Sequence, residues 1–558
     1  MDLSGRLHFL LILVIVKIVS SCLAITVIGN KLLYITPSQS VTCPGKPCLT
    51  LYQFAASVSW INSSSTLVFL PGIHRLSLEV SVSGISNFSM LTNSTLEGFQ
   101  VDIICYQSAS FKFDNMDNLL IRGLKFIGCS DNRALSVELF IIEDSIFQGQ
   151  NYSGTALEVN ETDVEIRNSS FTSNTVGRCI LITAMTVEKY VRVGGAIFAT
   201  HSNVTIMESD FVGNSAGIGG AIYIRNFSNV TIIDSIFVKN QAANADFNTQ
   251  CSNSVLYRNP WTDSKMTEFI FCAGGAIVMF ESKLIINNST FSSNINECVS
   301  SGAGALSVQD NSDAKVYDSE FWNNTVKGFG GALTVAKSNA TIDNSNFYNN
   351  SASQGGVMDV ILSSVVVVSR CEYYDNSANV SGGVIVTDET SQLTDVGSQF
   401  INNRAVNGGV LSAARSTVVF RDSIFSNNQA TESGGAIYTI QSELFFHGLC
   451  NLIDNFASTG GAMYATESTL DVCTSGHFFV MLNIASDSGG GLYLYHSNLN
   501  CRYSSFAEIS GNLANNSGGG IHATNSLVTA YYNRRYSKSP DGYIQFLKTQ
   551  QIKEVESV

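Results

Sequence analysis

Hydrophobic and polar positions follow one sequence motif that recurs along the chain. In DSIFSNNQATESGGAIYTIQS (422–442), a Ser-x-Phe-x-x-Asn segment leads into a Gly-Gly pair, a small residue and an aliphatic residue. The second glycine of the pair recurs twelve times, from Gly195 to Gly519, and all but one of the steps are 25 to 29 residues long. A repeat of this length predicts a solenoid, in which one unit is copied, rather than several separate domains.

The residues between the glycine pairs predict short β-strands. They are β-branched and aromatic, as in Thr417 to Phe420, and Gly, Asn and Ser bound them. Because side chains alternate faces along a strand, Val418, Phe420, Ser423 and Phe425 share an inward face if one residue of turn separates the two pairs. A helical spacing of apolar residues is not sustained, so the fold class is all-β.

Each unit therefore predicts one coil of a single-stranded parallel β-helix. Equivalent residues would lie about 4.8 Å apart along the axis, with Phe on Phe and Asn on Asn in an amide ladder. The glycine pair suits a corner that needs a positive φ or a close approach of two backbones. About fourteen coils, counting weaker copies at 134–150 and 156–174, would form a rod on the order of 65 to 70 Å long.

The paired motif, GGA[I/L] in phase with FxxN, resembles the polymorphic outer-membrane-protein repeat of chlamydial autotransporters. The resemblance spans roughly residues 134–530. It implies a right-handed parallel β-helix of the pectate-lyase-like type, displayed at a cell surface and often adhesive. Two departures matter: the C-terminus has no long run of alternating strands for a translocating barrel, and Leu452 and Ile509 replace the Phe. A secreted eukaryotic relative fits better.

The flanks divide the chain into further segments. Residues 1–24 have the layout of a secretory signal peptide, with a signal anchor as the alternative. Residues 25–133 lack the Gly-Gly rhythm and predict an N-terminal cap with the first irregular coils, in which His74 is structural. Residues 134–530 hold the repeats. Residues 531–558 form a polar tail or cap, or mark a fragment whose anchor is missing. No later segment has 18 uncharged apolar residues, so the mature chain is expected to lack a transmembrane segment.

The net charge and the cysteine pattern limit the classes of partner and cofactor that the sequence predicts. The net charge is −14, which disfavours nucleic acid. No Cys and His spacing suggests zinc, and no cofactor motif appears. Without Cys22 an even number of cysteines remains, which favours disulfides in a secreted chain. The candidate disulfide cysteines are Cys43, Cys48, Cys251 and Cys272.

Two further sets of residues are candidate surface sites. The insertion at 243–272 is a candidate recognition loop, since loops on rigid scaffolds carry recognition and its Tyr257, Arg258 and Trp261 are typical binding residues. The alternative is a loop that a Cys251–Cys272 disulfide merely closes. N-x-S/T sequons recur along the chain. The candidate N-glycosylation sites are Asn62, Asn93, Asn168, Asn229, Asn288, Asn339 and Asn379.

The sequence thus favours a secreted or cell-surface scaffold for adhesion or recognition, whose partner is an unknown protein or glycan. The alternative is an extracellular polysaccharide lyase or hydrolase on the same fold. A hydrolase needs paired carboxylates, and the recurring Asp234, Asp318 and Asp422 are expected to point outward as solvated side chains instead. No GxSxG, HExxH or P-loop motif is present, so no catalytic residue is assigned.

Overall fold

The computed structural model describes residues 31–38, 48–57, 61, 63–92, 100–106, 109–129, 131–149, 154–176, 193–242, 274–297, 302–472, 476–501, 506–530 and 543–547. Nearly all of them build one parallel β-solenoid of about 15 turns. The motif-based expectation of about fourteen coils is close to this number. Strands before residue 134 also stack as coils although they lack the Gly-Gly pair: Lys31–Thr36 pairs with Ser65–Phe69, and Gly72–Leu76 pairs with Val101–Cys105.

Each regular coil contains four strands, and equivalent strands of successive coils form four rows. The first row follows the glycine pair and comprises Leu157–Asn160, Ile197–Thr200, Ile222–Arg225, Ile277–Phe280, Leu306–Gln309, Leu333–Ala336, Met358–Ile361, Ile385–Thr387, Leu411–Ala414, Ile437–Ile440, Met463–Thr466, Leu492–Tyr495 and Ile521–Thr524. The second row comprises Asp163–Arg167, Asn203–Met207, Asn229–Ile233, Lys283–Asn287, Asp313–Tyr317, Asn339–Asp343, Val365–Ser369, Gln392–Val396, Thr417–Arg421, Glu443–Ile453, Thr469–Asp471, Asn498–Cys501 and Leu527–Ala530.

The third row carries the motif phenylalanine. It comprises Lys125–Ile127, Ile146–Gln148, Ser170–Thr172, Asp210–Val212, Ile236–Val238, Thr290–Ser292, Glu320–Trp322, Asn346–Tyr348, Glu372–Tyr374, Gln399–Ile401, Ile424–Ser426, Gly476–Met481, Phe506–Ser510 and Tyr543–Leu547, and the second half of Glu443–Ile453 belongs to it. The fourth row follows the motif asparagine and comprises Ser215–Ala216, Gln241–Ala242, Ile295–Asn296, Thr325–Val326, Ser351–Gln354, Ser377–Ser381, Arg404–Asn407, Gln429–Ser433, Phe456–Ala457, Ile484–Ala485 and Leu513–Ala514.

The N-terminal coils are less regular. Their strands are Lys31–Thr36, Cys48–Thr50, Ser65–Phe69, Gly72–Leu76, Val80–Ser83, Asn87–Thr92, Val101–Cys105, Phe111–Arg122 and Asn132–Glu143, and the helix Leu51–Ser57 lies between the second and third of them. His74 is buried, its Nε2 lies 2.8 Å from the Leu70 carbonyl oxygen, and its ring packs edge-on against Phe69. No described helix is long and apolar enough to span a membrane.

A continuous aromatic column fills the core beneath the third row. Eleven rings from Phe126 to Phe425 stack on one another with centroids 4.6 to 5.1 Å apart, Tyr373 standing in for Phe. Leu452 and Ile509 are buried at the same position in later coils. Val418, Phe420, Ser423 and Phe425 all point inward, which confirms the predicted strand polarity.

An asparagine ladder turns the chain from the third row into the fourth. Its members, all buried, are Asn174, Asn214, Asn240, Asn294, Asn324, Asn350, Asn376, Asn403, Asn428, Asn455, Asn483 and Asn512. Each Nδ2 up to that of Asn483 donates to the Oδ1 of the next asparagine at 2.8 to 3.1 Å. The predicted ladder is therefore present, and it satisfies buried polar groups that would otherwise be costly.

The two glycines of each pair serve different purposes. Gly434 has φ of 67°, a conformation that side chains with a Cβ disfavour. Gly435 is excluded from substitution by crowding, because a Cβ there would lie 2.0 Å from the carbonyl oxygen of Gly461 in the next coil. Both reasons given for the pair from sequence apply: the positive φ to the first glycine, and crowding to both, since a Cβ on Gly434 would lie 2.1 Å from the Ile437 carbonyl oxygen.

One described disulfide, Cys105–Cys129, links adjacent N-terminal coils and was not predicted. Cys48 is also disulfide-bonded, but Cys43 lies outside the described residues, so their pairing stays a prediction. Cys371 and Cys450 are buried free thiols. Each replaces the serine of the Ser-x-Phe motif and occupies its inward position.

Candidate functional site

A groove on the outside of the last coils is lined by two parallel ladders of polar side chains. One ladder consists of outward side chains of the first row: Tyr438, Tyr464, Tyr493 and His522 stack with ring centroids 5.4, 5.0 and 4.7 Å apart. The other consists of hydroxyl residues that precede the glycine pairs: Ser433, Thr459, Ser488 and Ser517. A volume of about 560 Å³ lies between the hydroxyl ladder and the last three rings, Tyr464, Tyr493 and His522, and Tyr438 continues the ring stack beyond it.

The glycine corner is what brings the two ladders together. The first glycine of a pair, Gly489 or Gly518, turns the chain with a positive φ. A Cβ on Gly489 would lie 2.9 Å from the Cβ of Tyr493, and one on Gly518 would lie 2.7 Å from the Cβ of His522. The corner therefore leaves room for a ring directly beside it, and the groove depends on the same glycines as the fold.

Hydrogen bonds order one end of the groove. A ring nitrogen of His522, Nδ1, lies 2.8 Å from the Ser517 hydroxyl, which donates to the Ser488 hydroxyl at 3.0 Å. Asn516 donates its amide to the Asp487 carboxylate at 2.6 Å. Among the described residues, no protein group bonds to the side-chain hydroxyls of Tyr464 and Tyr493. Those hydroxyls are available to a ligand.

The groove carries little charge: Asp487 lines it, and Glu432, beside Ser433, adds to the effect of burial in raising the pKa of Tyr438. Burial lowers the pKa of His522, against a smaller opposing effect of Asp487, so the imidazole is neutral at pH 7. Burial raises the pKa of Tyr464, and the neighbouring tyrosines raise it further, so the phenol stays protonated. Asp487 is the only carboxylate, and no Lys or Arg appears, among the described lining residues.

The groove closes toward the middle of the rod. Val278, Ser307, Thr334, Asp359 and Val386 occupy the same outward position in earlier coils, and all are buried. Side chains at this position reach solvent again from Ser412 onward, and Glu158 and Phe198 reach it in the first coils. The site is thus a local feature of the last coils and not a property of every repeat.

Comparison with known proteins bears on the fold. A family model described as the right handed beta helix region matches residues 304–473. The chain is a right-handed parallel β-helix. No curated protein matches it significantly. The polymorphic outer-membrane repeat is not what this family model describes, so that resemblance stays a prediction.

Three solved structures are similar to the β-helix at low identity. The periplasmic alginate epimerase AlgG has a TM-score of 0.33 and 12% identity, covering 76% of this chain and 85% of its own. The mannuronan C-5 epimerase AlgE6 A-module of Azotobacter vinelandii has a TM-score of 0.23 and 11% identity, and the match covers 85% of this chain and 93% of the A-module. PfbA, a surface adhesin of Streptococcus pneumoniae, has a TM-score of 0.25 and 11% identity, and the match covers 74% of this chain and 83% of PfbA. Likenesses at this level carry no argument about function.

Several residues singled out from sequence lie outside the described residues of the β-helix. These are the candidate loop residues Tyr257, Arg258 and Trp261, the cysteines Cys43, Cys251 and Cys272, and the sequon residues Asn62 and Asn93. The remaining candidate sequon residues, Asn168, Asn229, Asn288, Asn339 and Asn379, are exposed. Asp234, Asp318 and Asp422 are exposed as well, in line with the expected solvated role.

The groove residues were missed from sequence although they carry a signal. An aromatic or imidazole side chain stands at the third position after the second motif glycine in GGAIY, GGAMY and the GGGLY and GGGIH variants, ending at Tyr438, Tyr464, Tyr493 and His522. Reading the outward positions in phase would have found them, together with Phe198 and Tyr223 of earlier coils, of which Tyr223 is buried. No group of three or more His, Cys, Asp or Glu side chains in the described ranges is arranged as a metal site.

Proposed function

We propose that this protein is an extracellular or cell-surface β-helix scaffold that recognises a neutral glycan in the groove of its last coils. The observation that carries the proposal is the pairing of an aromatic ladder with a hydroxyl ladder around about 560 Å³ of open space. The groove is bordered mainly by polar atoms, which can exchange hydrogen bonds with the hydroxyl groups of a sugar. The signal peptide predicted at residues 1–24 and the exposed sequons support the extracellular setting.

The ladder geometry favours a repeating ligand. The rings lie nearly parallel, with interplanar angles of 20°, 5° and 12°, so they cover one another's faces and present edges and hydroxyl groups to the groove. Successive polar groups are therefore spaced by one coil, about 4.8 Å, which is about the length of one sugar unit in an extended chain. A polysaccharide lying along the rod axis would meet the same chemistry at each unit.

The charge of the groove favours a neutral sugar over an acidic one. An acidic polysaccharide would bring carboxylates toward Asp487 without meeting a Lys or Arg among the described lining residues. Hydroxyl groups of a neutral sugar can instead exchange hydrogen bonds with the phenols of Tyr464 and Tyr493 and with the amide of Asn516.

An enzyme acting on polysaccharide remains the alternative. The groove does bring a neutral imidazole, His522, near Asp487 and the tyrosines. A glycoside hydrolase of the usual kind needs two carboxyl groups roughly 5 to 9.5 Å apart, and the described lining residues supply one. A lyase acting on a uronate needs a positive group to balance the sugar's carboxylate, and the described lining residues include no Lys or Arg. The observations support binding better than turnover.

The test is binding of the full secreted chain to an array of neutral and acidic polysaccharides, with a product assay on the same sugars. In the variant Tyr464→Ser/Tyr493→Ser, both rings become the residue found at the equivalent Ser412, so the coil should fold. We expect it to weaken neutral-glycan binding about tenfold or more. Tyr52→Ser, which removes an exposed tyrosine from the N-terminal helix, is the matched control.

Three outcomes would overturn this proposal. Equal binding by the variant and the wild type would place the glycan elsewhere. Binding restricted to acidic sugars would contradict the charge argument. Release of shortened or unsaturated products, lost in His522→Gln, would establish an enzyme in this groove.

A further inference from the structure

A second aromatic ladder lies on a different face and on different coils. Trp322, Tyr348 and Tyr374 end three successive third-row strands, and their rings stack with centroids 5.9 and 5.0 Å apart. Each ring points to the opposite side of its strand from the buried Phe321, Phe347 or Tyr373 and is half-buried at the surface. We call Trp322, Tyr348, Tyr374 and the three carboxylates described next the Trp322 patch.

Acidic side chains surround these rings. Glu320 and Glu372 are exposed, two residues before Trp322 and Tyr374 on the same face of their strands, and Asp375 follows Tyr374 directly. In the described ranges none of the three carboxylates forms an ion pair. Burial raises the pKa of Tyr374, and the neighbouring carboxylates of Glu320, Glu372 and Asp375 raise it further.

The fold does not require the ladder. In the coil before it, Ser292 occupies the position of Trp322, and in the coil after it, Ile401 occupies the position of Tyr374. The inward column continues through all of these coils without interruption. Three large aromatic residues on adjacent coils are therefore a property of this surface and not of the core beneath it.

We propose that the Trp322 patch binds a basic segment of a partner protein through its Arg or Lys side chains. Unpaired carboxylates beside aromatic rings complement a guanidinium or ammonium group, which pairs with the acid and packs its stem or plane against a ring. Trp and Tyr are also the residue types that dominate protein binding hot spots. A neutral glycan would gain nothing from three uncompensated negative charges, which is why the patch favours a cation where the groove favours a sugar.

The two surfaces then make the protein a bridge. The groove lies on the first row of the last coils, and the Trp322 patch lies on the third row several coils earlier. This inference stands without the glycan proposal, because the residues, the face and the ligand charge all differ. A rigid rod with a sugar site and a basic-peptide site would hold two partners at a fixed separation.

The experiment measures binding of a hexa-arginine peptide to the full chain. Isothermal calorimetry and tryptophan fluorescence both report the affinity. The variant Glu320→Gln/Glu372→Gln copies Gln399, which stands at the equivalent position in the next coil, so it should fold. We expect its affinity for the peptide to fall about tenfold or more. Trp322→Ser, which copies Ser292, should weaken binding to a similar degree. Glu443→Gln, an exposed second-row carboxylate, controls for the loss of negative charge and should change affinity less than about twofold.

Each remaining outcome decides against the patch. Equal losses in the control and the patch variants would show that the peptide responds to net charge alone. Unchanged binding in Trp322→Ser would remove the aromatic ladder from the site. Binding of neutral oligosaccharides that Trp322→Ser abolishes, with no peptide binding, would replace the basic partner with a sugar.

Discussion

Replacing Asp395 with asparagine should stabilise the β-helix at neutral pH and leave it unchanged in acid. Asp395 points into the core from the second row, in register with Val368 in the coil before it and Phe420 in the coil after. It is fully buried. Its Oδ2 accepts a hydrogen bond from the Ser423 hydroxyl at 2.5 Å, while its Oδ1 has no partner in the described structure. A carboxylate therefore stands where neighbouring coils place hydrocarbon.

The size of the effect follows from the pKa of this carboxyl. Burial raises it from 3.8 to about 6, against smaller opposing effects of Ser398 and Ser423. Because the folded pKa lies above the unfolded one, the stabilisation from proton binding is complete below pH 3.8 and is lost as the pH rises through about 6. At about 1.4 kcal/mol per pH unit, the cost at neutral pH is about 3 kcal/mol. Asparagine keeps the shape and the acceptor for Ser423 but cannot ionise.

Hydrogen exchange is the suitable assay, since a long repeat array need not unfold in one step. We expect the amides of Gln392–Val396 to exchange more slowly in Asp395→Asn than in the wild type at pH 7.5, and equally fast at pH 4. Asp454→Asn, which removes an exposed turn carboxylate, is the matched control. A gain of equal size at both pH values, or none at pH 7.5, would refute the reasoning.

Three further predictions concern the ladders and the closed part of the groove. Asn350→Ala removes the Nδ2 donor to the Phe321 carbonyl oxygen at 2.9 Å and the Oδ1 acceptor for the Asn324 backbone N–H. The free energy of local opening should fall by about 2 to 4 kcal/mol, as measured by amide hydrogen exchange in the neighbouring coils. Gly435→Ala places a Cβ 2.0 Å from a carbonyl oxygen of the next coil and should abolish secretion of protease-resistant protein, whereas wild-type resistance would contradict the crowding argument. Burial raises the pKa of Asp359 to about 7, so Asp359→Asn should slow exchange of Met358–Ile361 at pH 8.5 and not at pH 4, and equal exchange at pH 8.5 would count against it.

The fold was predictable because the inward positions repeat. A coil is stable only if its Phe, Asn and Gly match those of the next coil. These residues therefore recur in the sequence once per coil. The N-terminal coils were harder to predict for the same reason. Strands such as Val101–Cys105 and Phe111–Arg122 stack without the glycine pair, and the Cys105–Cys129 disulfide depends on a coil length that no motif marks.

Departures inside the core were visible in the sequence but not interpretable from it. Asp395, Cys371 and Cys450 occupy inward ladder positions that other coils fill with hydrocarbon or serine. Their inward direction follows from the repeat, since Cys371 and Cys450 stand in phase with the motif serine and Asp395 with Phe420, but the hydrogen bonds available to each buried group do not. The buried acid, with its dependence on pH, therefore emerges only from the three-dimensional arrangement.

Outward positions are where function can be assigned in this architecture, because the fold leaves them free. The first row carries Ser412 one coil before Tyr438, and the third row carries Ser292 one coil before Trp322, with no change in the core beneath either. An isolated surface ring would need no explanation, since single exposed apolar residues are common. Consecutive coils that repeat a ring at a position where serine suffices are different. Each ring beyond the first extends one continuous surface along the axis, so the two ladders are the part of the rod whose chemistry is best explained by a ligand.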